Sequence, residues 1–245
     1  SLADGLHCIS AATAGELSHW LDDNDVPYQF GQRPAVDHFL LGAEVAVNDA
    51  PRPLPTPLAE AAAQRPTLLM VGTLEPRKGH VQALDAIEHL WTNGHELNFV
   101  IVGRVGWMVE ALVRRLEKHD ETGRRLFWFQ DADDAQLEAV YRVSSALLAP
   151  SFGEGYGLPL VEAAHRQLPV LARDLPVFRE IMGEYASYFR ADDAAQLAKA
   201  LSAWLHAPPP PKPHATWPTW AQSAAALAST IQRMGKGLDT IQTIV

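Results

Sequence analysis

The chain has 245 residues, 47% of them apolar and 20% charged, with a formal net charge of −9. The apolar share supports a large packed core, and the acidic balance argues against a general nucleic-acid binder, which carries a basic face. No run of about 18 uninterrupted apolar residues is present, so no membrane span is expected. The single cysteine, Cys8, excludes an internal disulfide and suits a reducing compartment.

The start, Ser1-Leu2-Ala3-Asp4-Gly5, has no basic segment followed by an apolar one, so no signal peptide is read there. With no initiator Met, an incomplete chain is expected. Leu6 to Ser10 reads as a short buried strand, and residues 13–22 as a helix with Leu17, Trp20 and Leu21 on one face. The run Asp22-Asp23-Asn24-Asp25 ends it as a solvated loop, since the glycine and distal glutamate of a calcium loop are missing. Residues 26–66 read as irregular. Pro27, Pro34, Pro51, Pro53, Pro55, Pro57 and Pro66 favour extended, semi-rigid chain there.

From residue 67 the pattern becomes regular. Strands are predicted at Thr67 to Val71, Leu97 to Val102, Leu126 to Phe129, Ser145 to Ala149, Pro169 to Ala172 and near Ala186 to Phe189. A helix at 80–93 turns Ala83, Ile87, Leu90 and Trp91 inward, and one at 107–118 turns Met108, Leu112 and Leu116 inward. Asp133 or Asp134 caps a helix that runs to Arg142; helices 158–166 and 176–183 follow, and Asp192 caps helix 194–206. Residues 207–214, with Pro208-Pro209-Pro210-Pro211 and Pro213, read as a stiff connector. A final helix, about 219–234, carries Trp220, Leu227 and Ile231 on one face. Strand and helix thus alternate. The expected fold class is α/β, a Rossmann-like doubly wound parallel sheet, with ligands at the carboxyl ends of its strands.

Two stretches carry chemistry. The first is Pro150-Ser151-Phe152-Gly153-Glu154-Gly155-Tyr156-Gly157-Leu158-Pro159-Leu160-Val161-Glu162. Its glycines allow positive φ and close backbone approach to a ligand, and the helix start after them suits phosphate. Pro159 fits the first helical turn. The second is Val71-Gly72-Thr73-Leu74-Glu75-Pro76-Arg77-Lys78-Gly79, a strand end followed by two cations before a helix. Arg77 offers a planar fork to phosphate oxygens and Lys78 a point charge. Cations at a helix start oppose its dipole, which weakens the reading as two solvated side chains; taken alone the stretch leaves that reading and an anion site open. The spacing is not that of a P-loop. Arg104, after Gly103 at the end of the second regular strand, is either a further cleft cation or a surface residue. Asp131-Ala132-Asp133 is read as a helix cap rather than a metal motif, the histidines show no zinc spacing, and Ser151 lies in no nucleophile elbow.

Taken together these stretches resemble the carboxyl-terminal, donor-binding half of the retaining glycosyltransferases of family 4, which have the GT-B fold. The resemblance covers about residues 66–206 and rests on Glu154 and Glu162, seven residues apart around Gly-Tyr-Gly-Leu-Pro, with Glu75-Pro76-Arg77-Lys78-Gly79 upstream. Asp4 to Ser10 resembles the last strand of the family's amino-terminal domain, Phe39 to Glu44 the segment entering its linker, and the last helix the one that crosses back. The resemblance therefore implies a remnant of the amino-terminal domain at 1–47, a linker at 48–66, the donor-binding domain at 67–206, and a connector with crossing helix at 207–245. It also implies roles. Arg77 and Lys78 hold the donor diphosphate and stabilise the charge that builds as it leaves; backbone N–H groups of Gly155, Tyr156, Gly157 and Leu158 add to this, beside Gly72 and Thr73. Glu162 accepts from the two ribose hydroxyls, and Glu154 positions the transferred sugar without acting as a covalent nucleophile. Many relatives carry an arginine where this chain has Thr73 and Leu74, so phosphate binding rests on Arg77 and Lys78, or on another cation such as Arg104.

The stretches Gly72 to Gly79, Val102 to Met108 and Ala172 to Glu180 look most like bacterial mannosyl- or rhamnosyltransferases that build lipopolysaccharide O-chains. The implied donor is GDP-mannose, with the base left open among guanine, uracil and thymine. Implied with it are no metal or other cofactor, a glycan or lipid-linked glycan acceptor, a missing amino-terminal domain, no nucleic-acid partner, and a cytoplasmic place at the inner face of the bacterial inner membrane with peripheral membrane association of the full-length protein. The alternative is a nucleotide-binding module without catalytic activity of its own. An epimerase or phosphorylase on the same fold fits less well, the latter because no cofactor-lysine site is found.

Overall fold

The computed structural model describes residues 5–24, 26, 33–44, 52–206 and 216–242. They fall into two compact units. The larger comprises Val45–Glu154 and Leu158–Ala215; the smaller comprises Ser1–Glu44, Gly155–Gly157 and Thr216–Val245.

The larger unit is a six-stranded sheet with helices. Its strands are β3 (Thr67–Val71), β4 (Asn98–Val102), β5 (Leu126–Phe129), β6 (Ala146–Ala149), β7 (Val170–Arg173) and β8 (Ser187–Phe189), in the order β5-β4-β3-β6-β7-β8, all parallel. The doubly wound parallel sheet expected from the sequence is present. Crossover helices cover such a sheet on both faces, so its inner strands read as continuous apolar runs, as Leu68 to Met70 and Phe99 to Ile101 do. Helices α2 (Thr56–Gln64), α3 (His80–Thr92), α4 (Glu110–Lys118), α5 (Asp134–Val143), α6 (Leu158–His165), α7 (Pro176–Met182) and α8 (Ala194–His206) complete the unit. The main core joins Leu68, Phe99, Leu84, Ile87, Leu116 and Leu197 between sheet and helices.

Several sequence expectations need correction. Residues 52–66 are not irregular throughout: α2 starts just after Pro55 with Pro57 in its first turn, where a missing N–H costs nothing, and buries Leu58 and Ala61. Met108 does not face inward. It has a positive φ of 54° and is 74% exposed, because α4 begins only at Glu110 and Val109 is the buried residue there. Asp193, not Asp192, caps α8: its carboxylate accepts the Gln196 N–H at 2.8 Å, and Asp192 instead donates its own N–H to the Gln196 side chain. Asp133 caps α5 by accepting the Gln136 N–H at 2.8 Å.

The smaller unit holds a parallel pair, β1 (Gly5–Cys8) and β2 (Ala35–His38), joined through α1 (Ala11–Asp23), so β2 is a strand inside a stretch read as irregular. Trp20, expected on the buried face of α1, is 54% exposed, and Leu21 is buried. Asp22 and Asp23 close α1 rather than forming a loop, and Asp25 lies outside the described residues. Helix α9 (Trp220–Gln242) packs on this unit through Ser223 and Thr230, which are buried. Its Trp220 and Ile231, expected inward, are 49% and 54% exposed. The reason is close backbone approach: a Cβ on Gly42 would lie 2.4 Å from the Trp220 Cα, and Ser223 donates to the Leu40 carbonyl at 2.7 Å. The proline run 208–211 and residues 48–51 of the expected linker lie outside the described residues. Among the described residues no helix is long and apolar enough to cross a membrane.

Candidate functional site

The chain order of the sheet reverses between β3 and β6. Strands β4 and β5 extend it to one side, β7 and β8 to the other. In doubly wound sheets ligands bind outside the carboxyl ends of the strands at this switch point. Both chemistry-bearing stretches follow the two strands that flank it, one after β3 and one after β6.

The loop after β3 is built by close approach. Gly72 has φ 145°, and a Cβ on Gly103 would sit 1.9 Å from the Gly72 carbonyl oxygen, so the ends of β3 and β4 meet backbone to backbone. Leu74, fully buried, donates its N–H to the Arg104 carbonyl at 2.8 Å and accepts from Gly106 at 3.1 Å. Pro76–Lys78 then forms a 3-10 turn, and Gly79, with φ 76°, opens α3. A Cβ on Gly79 would lie 2.5 Å from the Pro150 carbonyl oxygen, so only glycine lets this turn press on the chain leaving β6. The Phe152 N–H donates to the Arg77 carbonyl at 2.7 Å and ties the two loops together.

This packing brings Arg77, Lys78 and Glu154 into one cluster. Arg77 Nη1 donates to Glu154 Oε2 at 3.0 Å and to the Gly153 carbonyl at 3.2 Å, and its Nε pairs with Glu75 at 2.9 Å. Lys78 Nζ pairs with Glu154 Oε1, which also accepts the Ser151 hydroxyl at 2.9 Å. The Lys78 and Glu154 side chains are only 15% and 10% exposed, so solvent screens their attraction less than at an open surface. A carboxylate between two cations occupies the kind of position a phosphate oxygen takes.

The loop is braced from behind by Arg173 at the end of β7. Its Nε donates to the Pro150 carbonyl at 3.1 Å, its Nη1 to the Ala191 carbonyl at 2.6 Å, and its Nη2 to Gln82 Oε1 on α3; its guanidinium lies 4.2 Å from the Phe152 ring centroid. His80, in the first turn of α3, is 1% exposed. Neither ring nitrogen makes a well-formed hydrogen bond among the described residues, and the backbone of Glu75 and Gly72 gives it only weak polar contacts. Burial, reinforced by the charge of Lys78, pushes its pKa down to about 4, and the backbone at Glu75 and Gly72 offsets only part of this. The imidazole is therefore neutral at physiological pH.

The other expected site residues divide. Thr73 is exposed at the same sheet edge, beside Gly106. Arg104 is exposed there too, and its guanidinium forms no hydrogen bond or ion pair among the described residues, so the structure does not draw it into the Glu154 cluster. Glu162 lies half-buried on α6, accepting the Tyr141 hydroxyl at 2.9 Å. Leu158 opens α6. Gly155, Tyr156 and Gly157 belong to the smaller unit, where Ser10 donates to the Gly155 carbonyl at 2.8 Å and Tyr156 donates to the Leu41 carbonyl at 3.0 Å. Asp133 of the Asp-x-Asp run caps α5 and pairs with Arg52 at 2.6 Å, and no group of three or more His, Cys, Asp or Glu among the described residues could hold a metal ion. Sequence reasoning missed Ser151, Tyr141 and Arg173. For Ser151 a signal was present, its place three residues before Glu154; nothing local marks the other two.

Residues 59–216 match the family Glycosyl transferases group 1. The chain belongs to this family. It is 40% identical over 236 residues to the serotype-specific mannosyltransferase WbdA of Escherichia coli, a match that covers 94% of this chain and 29% of that protein. The O-antigen chain mannosyltransferase RfbU of Salmonella typhimurium is 27% identical over 135 residues, covering 54% of this chain and 36% of that protein. This glycosyltransferase chain therefore spans about three-tenths of the length of WbdA. Among solved structures it resembles an alpha,alpha-trehalose-phosphate synthase from Burkholderia vietnamiensis, with a TM-score of 0.66 at 17% identity, covering 95% of this chain and 56% of that one. It also resembles the C-terminal domain of a glycosyl transferase group 1 protein (LpcC) from Francisella tularensis, with a TM-score of 0.52 at 17% identity, covering 66% of this chain and 88% of that one. These neighbours agree with the GT-B type of fold expected from the sequence.

Proposed function

We propose that the chain is the nucleotide-sugar-binding part of a retaining mannosyltransferase that extends an O-antigen chain, with GDP-mannose as donor. The observation that carries the reading is the convergence of Arg77, Lys78 and Glu154 at the switch point of the sheet. The similarity to a serotype-specific mannosyltransferase and to an O-antigen chain mannosyltransferase supports the sugar and the pathway class. In this reading the two cations take the diphosphate and stabilise the charge that develops on it as the glycosidic bond breaks. They supply the neutralising charge without a metal ion. Glu154, released from the cations, accepts from hydroxyls of the mannose, and Glu162 accepts from the ribose hydroxyls. The acceptor attacks on the face the diphosphate leaves, and the diphosphate helps to take its proton, which retains the anomeric configuration.

The acceptor is a glycan or lipid-linked glycan, held by the amino-terminal domain of the complete protein at the inner face of the inner membrane. Calorimetric titration with GDP in EDTA tests the site itself. Arg77→Ala and Lys78→Ala are each expected to weaken GDP by about 1.5–3 kcal/mol, the worth of a charge-assisted hydrogen bond. Unchanged affinity in both variants sinks the phosphate assignment. Loss of wild-type binding in EDTA, restored by a divalent cation, sinks the metal-free one.

A further inference from the structure

Tyr141, on α5, is 2% exposed. The Arg166 guanidinium covers its ring, with Cζ 4.5 Å from the centroid. Its hydroxyl donates to Glu162 Oε2 at 2.9 Å, while the Pro159 carbonyl is a longer acceptor at 3.4 Å. Arg166 in turn donates to the Glu162 carbonyl at 2.8 Å and to Glu138 Oε2 at 2.6 Å. Glu138, 3% exposed, takes Arg142 on its other oxygen at 3.0 Å. Backbone and side chain of Glu162 are thus both held by one buried polar network running from α5 to α6.

A glutamate on a helix surface ordinarily samples several rotamers, at no cost to the fold. Here one carboxylate oxygen is fixed by a buried phenol while the residue stays half-exposed. We propose that Tyr141 is a positioning residue that sets the Glu162 carboxylate to receive a vicinal diol, the 2′- and 3′-hydroxyls of a ribonucleotide. The inference rests on the ribose role given to Glu162 above and names what selects a ribonucleotide over a 2′-deoxyribonucleotide. Burial first, and then the charge of Glu162, holds the Tyr141 phenol well above its ordinary ionisation range, so its hydroxyl stays a donor throughout the physiological range. An ionised carboxylate offers about four lone-pair directions. Tyrosine takes one, which leaves enough for two ribose hydroxyls at fixed spacing. Holding the side chain in its bound rotamer removes an ordering cost that the ligand otherwise meets.

The test titrates the wild-type chain, Tyr141→Phe and Arg166→Lys with GDP, 2′-deoxy-GDP, UDP and 2′-deoxy-UDP, with melting curves to check folding. The wild type is expected to prefer the ribo form of the base it binds by about tenfold or more, the worth of one hydrogen bond to a charged group. Tyr141→Phe is expected to cut that preference to about twofold or less, with a clearly smaller loss for the 2′-deoxynucleotide, which keeps only its 3′-hydroxyl on Glu162. Arg166→Lys keeps a cation for Glu138 but removes the stacked guanidinium, so it reads the same network from its other side. It is expected to lower the preference in the same direction, and it decides the matter should Tyr141→Phe not fold. A preference that survives in the folded variants, or an equal loss for ribo and deoxy forms, overturns the positioning role. A wild type that binds nucleotide without preferring ribose overturns the role of Glu162 and this inference with it. A wild type that binds neither base overturns the donor-site reading as a whole.

Discussion

Glu154 pairs with the two cations that the proposed reading assigns to the donor, so that reading turns on it. Its carboxylate touches Arg77, Lys78 and the Ser151 hydroxyl while only 10% exposed. In the proposed reading an incoming diphosphate meets cations already paired and displaces that carboxylate. Glu154→Gln removes the competing charge but keeps the shape. Its expected effect is a GDP affinity higher by about tenfold, the low end of what a charge-assisted contact is worth. GDP-mannose should gain less, because the sugar loses its carboxylate acceptor. Calorimetric comparison of the two ligands reads this split, and a fall in GDP affinity would show that Glu154 does not compete with the phosphates. Residue types and spacing made Arg77, Lys78, Glu154 and Glu162 stand out in the sequence as candidates, since Glu-Pro-Arg-Lys-Gly and the two glutamates around Gly-Tyr-Gly-Leu-Pro are local patterns. Tyr141 was not readable in that way. Its role arises from α5 lying against α6, so its contact is 21 residues away in the chain.

Among the elements, the strands with both faces covered were the most legible, because Leu68 to Val71 and Phe99 to Val102 are continuous apolar runs too short for a buried helix. What pattern reading missed has identifiable causes. Pro55 and Pro57 made α2 look like linker, although proline at a helix start is compatible with the helix behind it. The buried face of α9 could not be found by seeking large apolar residues, because the contact is made by Ser223, Thr230 and a glycine that lets the backbones touch. The junction of β3 and β4 shows the same principle at the site. Gly103 has a backbone oxygen at 1.9 Å from where its Cβ would be, so Gly103→Ala must shift the Gly72 loop. Such overpacking is expected to cost about 1–3 kcal/mol. Gly15, within α1, has nothing within 4 Å, so Gly15→Ala is expected to stabilise by about 0.5–1 kcal/mol. Denaturant unfolding of the two variants checks the contrast. A neutral Gly103→Ala would mean that the β3–β4 loop junction tolerates displacement and does not fix Lys78.

At the scale of the whole molecule, the fold dictates where chemistry can occur more firmly than it dictates which chemistry. The order β5-β4-β3-β6-β7-β8 puts the switch point of the sheet between β3 and β6, and both charged stretches follow those two strands. Neighbours at 17% identity share that architecture, so the architecture alone does not choose a donor. In the proposed reading the diphosphate rests on Arg77 and Lys78 and the mannose on the mannosyltransferase relatives. The most direct test of the central claim is calorimetric titration of the wild-type chain with GDP-mannose, GDP, UDP and dTDP under one set of conditions. GDP and GDP-mannose are expected to bind in preference to UDP and dTDP, and inorganic pyrophosphate is expected to compete with them. Equal binding of all four would contradict the GDP-mannose assignment, and binding that pyrophosphate leaves untouched would contradict the Arg77–Lys78–Glu154 site.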